Sequence, residues 1–227
     1  MATYFISDIH GEYDLFMKLL KKIKFNDNDT LYICGDIIDK GKDSIKLIKF
    51  VSNQKNIFSI MGNHEYTFAQ YVKSIVETCN ENNQEDIMEK IAKYFPYDTE
   101  KLSQNDILYI LDLPYYIETD EFICVHAGLE IKDDKILPIE NQDYNYMLFD
   151  RNFKSNHFTN INKTILFGHT PCFYEKLDGK FIKTFKDNQT TDDFLSYSKI
   201  RLDTGVSYTN MLGVLRKEDM EEFYVKE

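Results

Sequence analysis

Four of the chain's five histidines stand just after an apolar run breaks off, beside an acid, an amide or a glycine. "YFISDIHG" closes on Asp8 and His10, "LYICGDIID" on Asp36 and Asp39, and "FSIMGNHE" on Asn63 and His64. "FICVHAG" closes on His126 and "ILFGHTP" on His169. Carboxylates, an amide oxygen and imidazoles with no thiolate make a hard-to-borderline N/O set, suited to manganese, iron or zinc in five-coordinate or octahedral geometry. Two ions that share one bridging carboxylate need roughly six or seven such groups, and this inventory supplies them. Each fragment alone has an ordinary reading. "DxH" serves turns and helix caps, "GNH" a tight turn, "HAG" little, and "GHTP" a loop closed by Pro171. Five such clusters, each after a strand-like run, do not reduce to turn chemistry. His157, in "KSNHFTN", follows no such run and reads as a surface-loop residue.

The elements that must carry these groups are short. Apolar runs predict strands at 3–7, 30–34, 57–61, 121–125 and 164–167. Between the early ones, Leu15, Phe16, Leu19, Leu20 and Ile23 share one helical face in 12–24, and Ile45, Ile48 and Val51 do so in 43–52. Strand and helix alternating over short connections imply βαβ units and parallel pairing. In α/β folds, the groups at the carboxyl ends of adjacent strands converge on one crevice. Residues 65–112 read as a helical insert of three helices (65–78, 84–95 and 103–112), closed by Pro114 and placed to cap one face of a site. Beyond 177 the pattern changes to strands at 180–185, 199–203, 211–215 and 222–226. The turn signals "DG" at 178–179 and "TG" at 204–205 suggest antiparallel hairpins and a second, more antiparallel sheet.

Composition narrows the function classes. With 227 residues, 43% of them hydrophobic, the chain is expected to form a single domain over 1–227 with a sizeable core. No apolar run is long enough to cross a bilayer, so no membrane partner is expected. "MATYFISDIHG" lacks the pattern of a signal peptide, and a cytoplasmic location is the expectation. A net charge of −11 without a basic stripe argues against nucleic acid as a partner. Cys34, Cys79, Cys124 and Cys172 show no paired spacing and read as reduced thiols, not as a zinc site.

Taken together, the motifs resemble the phosphoprotein phosphatase branch of the metallophosphoesterase superfamily. Its signatures GDxHG, GDxxDRG, GNHE and two later histidines stand here as "SDIHG", "GDIIDKG", "GNHE", "VHAG" and "FGHTP", over about residues 3–215. "VHAGL" and "DTG" are most similar to bacterial and phage serine/threonine phosphatases, with symmetrical diadenosine tetraphosphatases closely related. The resemblance implies an α/β fold of four layers, α-β-β-α, with the site at one edge of a calcineurin-like β-sandwich. It implies two divalent metal ions, manganese first, with iron and zinc as alternatives. Asp8 and His10 would then hold the first metal, Asp36 would bridge, and Asn63, His126 and His169 would hold the second. His64 matches the histidine that protonates the leaving group, and Asp39 the acid that orients it. Lys40 and Arg151 match positions that bind substrate phosphate.

Two positions depart from that pattern. Ser7 replaces a glycine, with little effect expected, and Lys40 replaces an arginine in a chain with only three arginines. The implied reaction is in-line attack of a metal-bridging hydroxide on a phosphate monoester, with phosphoserine or phosphothreonine in proteins as the first candidate substrate. The alternative is a symmetrical diadenosine tetraphosphatase or another small-molecule phosphatase. In the dinucleotide enzymes the acid of the second motif is often replaced, so Asp39 weighs toward phosphoproteins. A phosphate-binding scaffold with a dead site fits poorly, because every metal and proton-donor position is filled.

Overall fold

Why each apolar run becomes a strand buried on both sides is visible in the first one. In the computed structural model, which describes residues 1–78 and 87–227, β1 spans Thr3–Ile6. Tyr4 and Ile6 point into one apolar cluster, and Phe5 between them points into another. Side chains alternate across a strand, so a run apolar at every position needs two partners, one per face. α1 (Tyr13–Lys22) covers the first face with Leu15, Phe16, Leu19 and Leu20, while Asp14 and Lys21–Lys22 match the ends of its dipole.

β2 (Thr30–Ile33), α2 (Ser44–Ser52) and β3 (Ile57–Ser59) continue the pattern. α3 (Asn63–Glu77), α4 (Ile87–Ala92) and α5 (Gln104–Leu111) follow as the helical segment. Phe68, Val72, Ile91, Phe95, Ile107 and Ile110 seat these helices on the same cluster as α1 and α2. Of the helix predicted at 84–95, the first residues lie outside the described ones, as does Cys79.

β4 (Tyr116–Glu118) and β5 (Phe122–Val125) open the second sheet. Then come a small hairpin of β6 (Ile131–Lys132) and β7 (Lys135–Ile136), α6 (Tyr144–Phe149), β8 (Thr164–Phe167), β9 (Ile182–Phe185) and β10 (Tyr197–Arg201). α7 (Val206–Thr209), β11 (Met211–Arg216) and β12 (Glu222–Lys226) end the chain. One five-stranded sheet has the order β12-β11-β1-β2-β3, with β1, β2 and β3 parallel. The other has the order β4-β5-β8-β10-β9, with β5, β8 and β10 parallel.

The two sheets meet face to face through Phe5, Cys34, Ile60 and Leu215 on one side and Phe122, Cys124, Leu166 and Ile200 on the other. Phe5 and Phe122 touch edge to face at 4.9 Å, and Phe5→Ala would cost about 3–5 kcal/mol. Outside the second sheet, Ile123, Val125, Ile165 and Phe167 pack under Met147, Phe153 and Phe158. Four layers result, α-β-β-α, as the family resemblance implied.

The C-terminal expectation needs correction. β11 and β12 do form an antiparallel hairpin, but β11 joins β1 in the first sheet. The "TG" turn therefore carries the chain from one sheet to the other, and the second sheet is parallel at its centre. Alternation and turn residues report a strand's exposure and its ends, not which sheet accepts it. Cys34, Cys124 and Cys172 are buried free thiols. Among the described residues no helix is long and apolar enough to cross a membrane.

Candidate metal centre

The site residues follow the carboxyl ends of β1, β2, β3, β5 and β8, and after β1, β2 and β8 the backbone does something unusual for non-glycine residues. Asp8, His10, Asp36, Asp39, Lys40 and His169 all lie in the left-handed region, with φ between 49° and 70°. That region disfavours a side chain, and so many outliers in one place mark a strained, over-determined site. Loop-to-loop hydrogen bonds hold the strain: Asp8 N–H donates to Gly35 O at 3.1 Å, His10 N–H to Asp36 O at 2.9 Å and Gly11 N–H to Ile37 O at 2.7 Å.

The curled loops bring six predicted ligands into one crevice. His10 Nε2 lies 3.8 Å from Asp8 Oδ1 and 3.6 Å from Asp36 Oδ2. His126 Nε2 lies 3.4 Å from Asp36 Oδ1 and 2.9 Å from Asn63 Oδ1, and His169 Nδ1 lies 2.9 Å from the same Asn63 oxygen. Asp36 thus stands between two groups, one on each carboxylate oxygen. Asn63 opens α3, where Gly62 brings the chain against Asp36: a Cβ on Gly62 would sit 2.2 Å from Asp36 Oδ1. Gly168 leaves the same kind of room, since its Cβ would meet Asp8 Oδ2 at 2.0 Å.

Whether this set fits a cation follows from its tautomers and charges. His10 Nδ1 is 3.0 Å from Ile38 O and His126 Nδ1 2.8 Å from Cys34 O, so each Nδ1 carries the proton and each Nε2 turns a lone pair inward. Burial, with Lys40 adding to it, holds His10 far below the usual imidazole range. Burial pushes His126 down to about 4, and burial with the charges of His126 and Arg151 lowers His169 strongly. Three neutral imidazoles therefore face an amide oxygen and two carboxylates. The carboxylates are themselves pushed up: Asp8 by burial and the Asp36 charge, Asp36 chiefly by burial. With its proton on Nδ1, His126 turns the lone pair of Nε2 onto Asn63 Oδ1 at 2.9 Å, and two such acceptors repel unless a cation lies between them. The residues fit divalent ions, and two groups of three (His10, Asp36, His64 and Asp8, Asp36, His126) each bring their ligand atoms within 4.8 Å.

His64 has the opposite character. Burial works against its charge, but the Asp39 hydrogen bond and the charges of Asp36 and Asp39 outweigh burial and raise its pKa. Nδ1 meets Asp39 Oδ2 at 2.7 Å, which leaves Nε2 facing the centre, 3.9 Å from Asp36 Oδ2. Lys40 turns its Nζ onto His10 Nε2 at 2.7 Å, inside the cluster. Arg151 is exposed just past α6, and its charge is felt at His169. His157 is exposed and pairs with Asp187 at 3.2 Å, as a surface residue would. Ser7 is not neutral: its hydroxyl donates to Asp8 Oδ2 at 2.5 Å and fixes that carboxylate.

Three residues were not singled out by sequence. Glu65 is fully buried and accepts from the backbone N–H groups of Asp36, Ile37, Ile38 and Gly62 at 2.7–3.1 Å. It locks the second motif's loop to the third's, and its place in the first turn of a helix after glycine was the available signal. Asp203, in the quoted "DTG", is buried and accepts from Gly205 N–H at 2.7 Å; burial and the Asp8 charge raise its pKa. Tyr94 donates to Asp39 and lies too far along the chain for any local pattern to find.

Two face-to-face sheets with Asp, Asn and His gathered at their strand ends define a metallophosphoesterase framework. The chain belongs to the calcineurin-like phosphoesterase family, which it matches over residues 1–202. It is 32% identical over 162 residues to the symmetrical bis(5'-nucleosyl)-tetraphosphatase of Buchnera aphidicola subsp. Acyrthosiphon pisum (strain 5A). That match covers 66% of this chain and 55% of the relative, so the chain spans little more than half the relative's length. Among solved structures, one provisionally described as a diadenosine tetraphosphatase superposes with a TM-score of 0.70 at 18% identity, over 99% of this chain and 92% of the other. A serine/threonine phosphatase from Saccharomyces cerevisiae gives 0.59 at 15% identity, over 100% and 80%. At these identities the structures speak to the fold alone.

Proposed function

We propose that the chain is a metal-dependent phosphoesterase whose first candidate substrates are symmetrical dinucleoside tetraphosphates. The reading rests on one observation, the convergence of Asp8, His10, Asp36, Asn63, His126 and His169 around a common centre. The substrate class comes from the curated relative, whose name assigns it that activity. Asp8 and His10 would hold one divalent ion, Asn63, His126 and His169 a second, and Asp36 both, with manganese favoured by the thiol-free set. When bound, such ions supply Lewis acidity that offsets phosphoryl charge and lowers the pKa of water. His64, protonated and held by Asp39, presents Nε2 to the departing oxygen. Arg151 and Lys40 add positive charge on the approach of an anion to a chain of net charge −11.

The His64–Asp39 pair favours a second reading. A nucleotide leaving from a phosphoanhydride is stable as an anion and gains little from a proton, whereas a serine or threonine alkoxide needs one. An intact proton donor therefore supports phosphoprotein monoesters. Parallel turnover of diadenosine tetraphosphate, a phosphoserine peptide and a phosphotyrosine peptide by manganese-loaded protein separates the readings. Faster turnover of the dinucleotide supports the first, and faster turnover of phosphoserine replaces it with the second. Inertness toward all three rejects both.

A further inference from the structure

The acid pair has a third member. Tyr94 follows α4 by two residues, and its hydroxyl donates to Asp39 Oδ2 at 3.1 Å. The same oxygen meets His64 Nδ1 at 2.7 Å. Phe68, Tyr71 and Phe95 hold the phenol ring, with centroids 5.0, 5.2 and 5.2 Å away. Phe68 and Tyr71 belong to α3, the helix whose first turn carries His64. One helix therefore supplies both the imidazole and the seat of the phenol. Beside them lies a small cavity of about 210 Å³, lined by Asp39, Lys40, Tyr94 and Tyr97 among others.

We propose that Tyr94 is a positioning residue for the proton donor: it pins the Asp39 carboxylate so that Oδ2 stays aligned on His64 Nδ1. The need for it is physical. The terminal torsion of an aspartate is broad and nearly two-fold, so a carboxylate that is 22% exposed and gripped on one side can rotate toward water. A second donor on the same oxygen removes that freedom, and with it the misaligned states of His64 Nε2. Burial and the Asp39 charge push the phenol's pKa upward, which keeps it a donor. The contact joins residues 55 apart, so the seating of the helical segment is coupled to the alignment of the proton.

This inference rests on the phosphoesterase reading, and the test keeps the two apart. Tyr94→Phe preserves the ring and its packing and removes one hydroxyl. For an alkyl phosphate monoester, kcat should fall about tenfold with KM unchanged. For p-nitrophenyl phosphate, whose leaving group scarcely needs a proton, the change should stay below about twofold. In an Asp39→Asn background the Tyr94→Phe effect on the alkyl ester should vanish, because the two residues act as one unit. Equal losses on both esters, or losses that multiply with Asp39→Asn, mark a merely structural tyrosine and overturn the inference. Turnover of p-nitrophenyl phosphate with none of any alkyl ester overturns it as well, since the pair then has nothing to protonate. Inertness of the unaltered protein toward every phosphoester would instead defeat the underlying reading.

Discussion

Lys40 Nζ lies 2.7 Å from His10 Nε2, within the group of acids and imidazoles that a divalent ion would occupy. An ammonium there donates to the imidazole lone pair and offsets part of the charge of Asp8 and Asp36, whose pKa values burial nevertheless raises. Metal and ammonium compete for one place. Lysine has a flexible stem and a compact charge, so it can leave where a planar arginine fork would lose two bonds at once.

The expected consequence is a trade between metal affinity and substrate affinity. Lys40→Met should bind the weaker manganese ion on the order of tenfold more tightly by calorimetry, since a like charge is gone. The same variant should raise KM for phosphate esters. Lys40→Arg should lower KM modestly without reordering substrates. Unchanged metal affinity in Lys40→Met would show that the side chain stays clear of the ion, and a reordered preference in Lys40→Arg would make residue 40 a specificity determinant.

Among the described residues Asp36 is the one carboxylate with an imidazole on each oxygen. Activity should be lost on chelation and restored by manganese. Asp36→Asn should bind fewer than two ions per chain by elemental analysis and lower kcat/KM by at least about 10³-fold, more than Asp8→Asn or Asn63→Ala. Full activity of the chelated protein would remove the metals from the mechanism.

His64 should be separable from the ligands by leaving group. His64→Asn is expected to keep two ions yet lose roughly 10²–10⁴ in kcat on alkyl esters, with a smaller loss on p-nitrophenyl phosphate. Asp39→Asn should follow the same trend more weakly. A loss of metal in His64→Asn would make it a ligand instead.

These positions were legible in sequence because type and place coincided: an Asp, Asn or His immediately after a buried strand has few structural reasons to be there. The parallel order of β1, β2 and β3 was legible for a similar reason, since helices of the right length separate them. What escaped involves distance or direction. Tyr94 reaches Asp39 from an insert whose helical periodicity explains its other residues as core. Lys40 points by a stem of four carbons from a left-handed backbone that no spacing encodes. β11 pairs with β1 at the other end of the chain, a contact that neither hairpin pattern nor turn signal can specify.

The metal-free protein should lose stability as pH rises through neutrality. Asp8 is raised to about 8 by burial and the Asp36 charge, far above its unfolded value. The folded state therefore holds a proton that the unfolded state has already released, and stability falls as pH climbs toward 8. His10, His126 and His169 are lowered, so their contribution rises with pH and is complete once the unfolded histidines are neutral, at about 6.5. Above pH 6.5 the histidines no longer contribute a rise, so unfolding midpoints of chelated protein should fall between about pH 6.5 and pH 8.5. With manganese the decline should disappear, because the carboxylates are then ionised partners of a cation. Parallel curves with and without metal would contradict this account.

Glu65 offers the sharpest stability test. One buried carboxylate receives four backbone N–H groups, three from the loop carrying Asp36 and one from Gly62. Glu65→Gln keeps the volume but turns an amide N–H toward at least one of those donors. An unsatisfied buried donor costs about 1–3 kcal/mol, and a clash of donors with loss of the charge should bring the total to roughly 3–5 kcal/mol. In a chain of this size that corresponds to a fall in Tm of about 10 °C. The second signature is functional. Since the loop also sets the left-handed turn at Asp36, manganese affinity should fall alongside stability, whereas a core truncation such as Leu47→Ala should lower Tm by a similar amount and leave metal affinity intact. If Glu65→Gln behaves like Leu47→Ala, Glu65 stabilises the fold without shaping the metal site.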